Sequence, residues 1–350
     1  MEPFVISEQI IKEEFSKYTT YTYKFRKDNQ ELWKLFLSEL DFPMVNYSNQ
    51  ELNYQLLYRK EKKYYDNDIS ILIYHSNKII AIFPITIAKL NDIYEFTSFG
   101  GPILSPIFFD NCDKNLEQQV SEICFHICKK IKNKFKIDKL IFLENNKPNN
   151  QVSTWYKVLK NNKYKISCLK EAYINLKLDI GQIEKYLKKK KIMADILKAK
   201  KLWQYEIKYT IKEKEWRELK DLHIKVSGKQ TRTDKTWLSQ LQDINNKYAF
   251  AIFLYDKKKL IGGAMYRYTN SSALYAIGAY DRNLFPKPIS HLAHFMAIEE
   301  LKRNKFKWLK MGDIPQESDY NNPSKKEITI GLFKKKFSTD IFDKYIFEEK

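Results

Sequence analysis

The sequence predicts an α+β protein of two tandem domains, residues 1–165 and 166–350, each a mostly antiparallel sheet flanked by helices, with the C-terminal strand a candidate to pack back toward the first domain. Three observations carry this reading. Residues 70–106 and 248–283 both show β-branched and aromatic runs broken by short polar turns. Each block follows an amphipathic helical stretch and precedes a further helix and a buried strand. Equivalent stretches lie roughly 170 to 185 residues apart, which is the spacing of a duplicated domain and not of a short-repeat solenoid.

In the first half, "NQELWKLFLSEL" (29–40) reads as the leading helix. Ser76-Asn77-Lys78 and Leu90-Asn91-Asp92 then divide 70–106 into a three-stranded antiparallel meander. From Leu116, the apolar positions Val120, Ile123, Ile127 and Ile131 recur at helical steps, and "KLIFLE" (139–144) follows as a strand. The polar "NNKPNNQ" (145–151) opens the boundary region, which extends to a fresh basic helix running from Gln182 to about Lys201. The second half repeats the order. "EKEWRELKDLHIKV" (213–226) leads, a meander turns at Asp256–Lys259 and at "TNSS" (269–272), a helix covers Ser290–Arg303, and "FKWLKMG" (306–312) is the closing strand of that block.

Composition limits the function classes. Hydrophobic residues at 43% and aromatics at 15%, with 9 Gly and 10 Pro, describe a folded chain with a sizeable core. The formal charge of +19 favours an anionic partner, although a lysine-rich composition lowers its specificity. Cys112, Cys124, Cys128 and Cys168 form no CxxC pair, and His75, His126, His223, His291 and His294 are scattered, so no metal site and a reduced, cytoplasmic setting are expected. "MEPFVISEQI" lacks the pattern of a secretory leader, and the longest apolar run, "IIAIFPITIA" (79–88), is too short to span a bilayer.

Helix, antiparallel meander, helix and strand form the layout of the GNAT acyltransferase fold, and two such copies resemble the FemA/FemX (FemAB) family of aminoacyl transferases. The resemblance covers most of the chain from about residue 25 and rests on "AIGAYDRNLFPKPISHLAHFMAIEELKRNKFKWLKMGD", on "LHIKVSGKQTRTDKTW", and on "ITIGLFKKKFS", which is similar to the family's terminal G-x-FKxxF-G/S signature. With a single helix at 182–201 where FemA-type members carry a long helical arm, the chain is similar to the armless, FemX-like members.

The resemblance implies the site residues. Phe333 stacks on or positions the activated donor and Lys334 stabilises charge, brought by a closing strand to the mouth of a cleft, while Lys335 and Lys336 are solvated. Acyl transfer to an amine builds negative charge on the carbonyl oxygen, which a cation at this place would offset. Arg232, with Lys229 as a secondary candidate, would clamp the acceptor's diphosphate, or else Arg232 is a surface arginine. The family's first-domain lysine for that diphosphate has no match around "FPMVNYSNQELNYQ". Asp313 would take or hold the amine proton, or else form a turn with Gly312. Tyr275 and Tyr280 are candidate donors to substrate, with one of them packing only. Lys287 precedes a helix that Ser290 would cap, an arrangement that attracts phosphate.

The loops "NLFPKPIS" and "SPIFFDNCDKN" hold no glycine, which disfavours the usual pyrophosphate cradle for acetyl-CoA and favours aminoacyl-tRNA over acyl-CoA as co-substrate. The expectation is an enzyme without a tightly bound cofactor. It moves an aminoacyl or acyl group onto an amine of a peptidoglycan precursor or nucleotide-activated amino sugar, such as a UDP-sugar or a lipid-linked precursor, and peripheral membrane contact is compatible with this. The competing reading is a non-catalytic RNA-binding or envelope-scaffold protein, although no RRM, KH, helix-turn-helix or zinc-finger signature is present.

Overall fold

The computed structural model describes residues 3–145 and 152–349. It divides into two compact units, one of Met1–Asp41, Tyr47–Leu169 and Phe342–Lys350, the other of Phe42–Asn46 and Lys170–Ile341. This differs from a single cut after residue 165 in two short segments. Phe42 packs its ring against Tyr173 and Trp308, and Thr269 Oγ1 donates to the Pro43 carbonyl at 2.9 Å, which ties 42–46 to the second unit. The last strand pairs within the first unit. Most of the polar stretch read as a boundary, 146–151, lies outside the described residues.

The first unit runs α1 (Pro3–Phe15), β1 (Tyr21–Phe25), α2 (Gln30–Ser38), α3 (Asn49–Lys60), β2 (Tyr65–Asp68), β3 (Ile71–His75), β4 (Lys78–Phe83), β5 (Thr86–Leu90), β6 (Ile93–Thr97), β7 (Ile103–Leu104), β8 (Ile107–Phe108), α4 (Lys114–Phe135), β9 (Ile141–Asn145) and α5 (Thr154–Asn161). The turns at Ser76-Asn77 and Asn91-Asp92 have positive φ at both residues (49° and 64° in each pair), the backbone that lets strands reverse over two residues. The expected three-stranded meander over 70–106 is in fact five strands in three sheets. Pro84 interrupts the run 78–90, so β4 pairs with β3 and β8, while β5 pairs with β2 and β6. Asp113 caps α4 by accepting from the Asn115 and Leu116 amides, and its Val120, Ile123, Ile127 and Ile131 are buried in the core with Phe142 and Trp155.

β10 (Lys165–Asn175) passes from the first unit into the second. The second unit continues with α6 (Ile180–Lys189), α7 (Met193–Leu202), β11 (Gln204–Lys208), α8 (Glu213–Ser227), α9 (Asp234–Asn245), β12 (Ala249–Asp256), β13 (Lys259–Tyr268), β14 (Ser272–Tyr280), α10 (Ile289–Arg303), β15 (Trp308–Asp313) and α11 (Lys325–Phe337), before β16 (Asp340–Glu348). The single helix expected over 182–201 is two, broken where Lys191 takes φ 61°. Within this unit the sheet order is β11-β12-β13-β14-β15-β10, antiparallel except for β14 and β15. One face carries α10, with Leu292, Phe295 and Met296 buried; the other carries α8 and α9, with Trp216, Leu219 and Trp237 buried against Met265, Ile277 and Ala279.

The halves share a topological device. β7 and β9 run parallel, as do β14 and β15, and in each case an antiparallel strand lies on the far side: β16 beside β9 and β10 beside β15. The α+β class with a repeated element order is therefore borne out.

Candidate active site in the second unit

The parallel ladder of β14 and β15 extends only from Ser272–Leu274 to Trp308–Lys310. Beyond it β14 stays on β13 as far as Tyr280, while β15 stays on β10 as far as Asp313, so the two strands part. A bulge sharpens this. Tyr266 faces Tyr275 but Met265 faces Ile277, which leaves Ala276 as the extra residue. The inserted residue puts Tyr275 and Tyr280 on the α10 side, whereas Ile277 and Ala279 face α8 and α9.

Phe333 and Lys334 reach this opening from a helix and not from a closing strand, which corrects the sequence expectation. Ser324 and Glu327 form a capping box that starts α11. Lys190 ends it: its Nζ donates to the Lys335 carbonyl at 3.1 Å and to the Ser338 carbonyl, supplying a cation where helix carbonyls lack amide partners. One lysine of the "KKKK" run at 188–191 is thus turned inward. Gly331 answers a packing need. A Cβ there would lie 2.6 Å from Pro315 Cδ, so only glycine lets α11 approach the chain leaving β15 this closely.

Lys334 is half-buried, and its Nζ lies 2.8 Å from the point a Cβ on Gly312 would occupy. Gly312 has φ 109°, in the region that glycine tolerates, so the same residue makes the bend and the space. Asp313, next in the chain, is exposed at the strand end, opposite Glu171 in the ladder. Glu171 in turn accepts from Lys310 Nζ at 2.6 Å and from the Tyr173 hydroxyl at 3.2 Å. Lys335 and Lys336 are exposed.

The residues packed between β14 and α10 are aromatic with a few polar atoms. Burial pushes the half-buried Tyr275 up to about 12 and holds Tyr280 well above the ordinary phenol range. The Tyr275 hydroxyl seats over Gly278, 1.8 Å from where a Cβ would be. The Tyr280 hydroxyl is buried beside that of Tyr275. His294 on α10 is fully buried, and its Nδ1 lies 2.8 Å from the Tyr266 hydroxyl. Burial, followed by the nearby His291 and Lys334, pulls this imidazole down to about 3, so it is neutral.

The remaining predicted residues lie elsewhere. Arg232 and Lys229 belong to the loop after α8, which Gly228 closes at φ 75°, on elements packed against the sheet face opposite α10. Arg232 is half-buried with Nη1 3.4 Å from His223 Nε2, while Lys229 is exposed. Burial and then Arg232 draw His223 down to about 4. Lys287 is exposed with its Nζ 5.3 Å from the Trp203 ring. Ser290 does not cap α10: Pro288 occupies the cap position and provides no side-chain bond. Sequence reasoning missed Tyr266, Lys190 and the role of His294. His291 and His294 lie three apart on α10, a spacing that alone does not signal this contact; among the described residues no group of three or more His, Cys, Asp or Glu is placed to hold a metal.

A cavity of about 790 Å³ also opens in the first unit, lined by residues including Tyr94, Phe96, Gly100, Phe135 and Lys136, and it holds none of the predicted site residues.

No protein-family model matches the chain, and no curated protein matches it. Solved structures do. The chain is similar to FemX with a TM-score of 0.66, covering 91% of this chain and 95% of that one at 9% identity. It is similar to L-PGS from Bacillus licheniformis with a TM-score of 0.56, covering 91% of each chain at 13% identity. A conserved protein of unknown function from Bacteroides thetaiotaomicron gives 0.52, covering 92% of this chain and 97% of that one at 10% identity. At such identities the likeness is one of fold. The fold is that of FemX.

Proposed function

We propose that this protein is an N-acyltransferase of FemX-like type, moving an aminoacyl or acyl group from an activated ester or thioester to a primary amine. The observation that carries the reading is the ammonium of Lys334 seated over Gly312, where the two parallel strands part. The likeness to FemX over 91% of the chain supports placing acyl-transfer chemistry there.

In the reaction the amine attacks the carbonyl carbon, a C–N bond forms, the C–O or C–S bond to the donor breaks, and the amine's proton passes to the leaving oxygen or sulfur. Lys334 offsets the charge that grows on the carbonyl oxygen or on donor phosphates. Phe333 directs Lys334 into place. Asp313 holds or accepts the amine proton, and Tyr275 or Tyr280 donates to substrate. Arg232, Lys229 and Lys287 serve as phosphate contacts away from the reacting atoms.

Aminoacyl-tRNA is the favoured donor, because the chain carries a formal charge of +19 and the loop before α10 has no glycine to cradle a pyrophosphate. The acceptor class is a peptidoglycan precursor or an amino-sugar nucleotide, and the reaction is cytoplasmic. The test offers the protein labelled charged tRNAs, acyl-CoAs and a panel of amino-sugar nucleotides and follows products by mass spectrometry. An acylated amine supports the reading. Binding of generic RNA with a steep salt slope and no product supports an RNA-binding protein instead.

A further inference from the structure

His294 and Tyr266 are polar groups in an otherwise apolar cluster, and both are fully buried. A leucine at 294 would need no partner, but it would also impose no direction. The 2.8 Å hydrogen bond from Tyr266 fixes the imidazole plane, because a bond in a low-dielectric core is strong and directional. If the Tyr266 hydroxyl donates to Nδ1, the ring proton sits on Nε2.

The fixed ring then sets its neighbours. Phe333 lies 5.5 Å and Phe337 5.3 Å from the His294 ring, Tyr275 stands edge-on to it at 4.7 Å, and His291 meets Phe333 from one turn earlier on α10 at 5.2 Å. We infer that the Tyr266–His294 hydrogen bond is a positioning device for the reaction proposed above: it orients Phe333 and, through it, holds the Lys334 ammonium over Gly312. Neither residue touches the reacting atoms. The role rests on the proposed reaction for its purpose, but the geometry it controls is measurable without any substrate.

The experiment is competitive labelling of the full chain with a limiting amine-reactive reagent, read by mass spectrometry at Lys334 against Lys335 and Lys336 in the same molecules. Tyr266→Phe removes one oxygen and keeps the ring's shape, so it serves even if His294→Leu fails to fold. The expected result is a change of threefold or more in the Lys334 ratio for both variants, with His294→Gln, which restores a hydrogen-bonding group, returning it toward the parent value. An unchanged ratio in folded Tyr266→Phe overturns the inference, even if its melting temperature falls, because that would be a packing role alone. If no acyl transfer is ever found while the ratio shifts, the positioning stands and only the reaction falls.

Discussion

Phe333 and Lys334 are adjacent in the chain yet face different surroundings, one ring packed among aromatics and one ammonium over a glycine. Lys334→Met should therefore lower transfer by about 100-fold or more, the scale of losing one donor to a developing oxyanion, while the melting temperature stays close to the parent's. His294 gives a prediction about pH. Its folded-state value near 3 is below the usual 6.5, so its stabilising contribution is intact above 6.5 and is lost as pH falls from there toward 3. The slope from this one group is at most about 1.4 kcal/mol per pH unit. Urea titrations at pH 7.5 and 5.5 should show the parent losing more stability than His294→Phe; equal losses would show that His294 is not the group responsible. The sequence exposed Phe333, Lys334 and the two tyrosines as candidates because they sit in a family-like string. It gave no sign of Tyr266, since a tyrosine inside a strand reads as packing until its partner on a helix 28 residues later is seen.

Helix α11 carries the cation, and three contacts set where it lies: the close approach of Gly331 to Pro315, the Lys190 bonds at its last carbonyls, and the Phe333 and Phe337 rings against α10. Lys190→Met should cost about 1.5–3 kcal/mol in denaturant unfolding, the range of a hydrogen bond to a charged group, with Lys190→Arg recovering part of it. Gly312→Ala is strained whatever the space, because of φ 109°, and should destabilise by about 1–3 kcal/mol while displacing the Lys334 side chain. Full stability in that variant would contradict the account of the bend. The strand reading of "GLFKKKFSTD" failed for a physical reason. Phe333 and Phe337, four residues apart, fit a period of two as well as one turn of helix, and the capping box that decides between them begins seven residues before Gly331. The first meander was misread because Pro84 divides a continuous apolar run, and periodicity cannot tell which sheet each part joins.

At the scale of the chain, element order was legible because helical and strand periods alternate in the same sequence twice, and this survives when side-chain identity does not. What could not be read was the placing of 42–46 in the second unit, since contacts far apart in the chain leave no local pattern. The charge of +19 fits a polyanionic donor, so transfer should weaken steeply with added salt if aminoacyl-tRNA is used and much less if acyl-CoA is. The most direct measurement is a single-turnover assay of labelled acyl transfer, comparing the parent with Lys334→Met, Lys335→Met and Lys336→Met. The account predicts product from the parent and from the 335 and 336 variants, and a loss of about 100-fold in rate at 334 alone. Equal rates across all four proteins would contradict it.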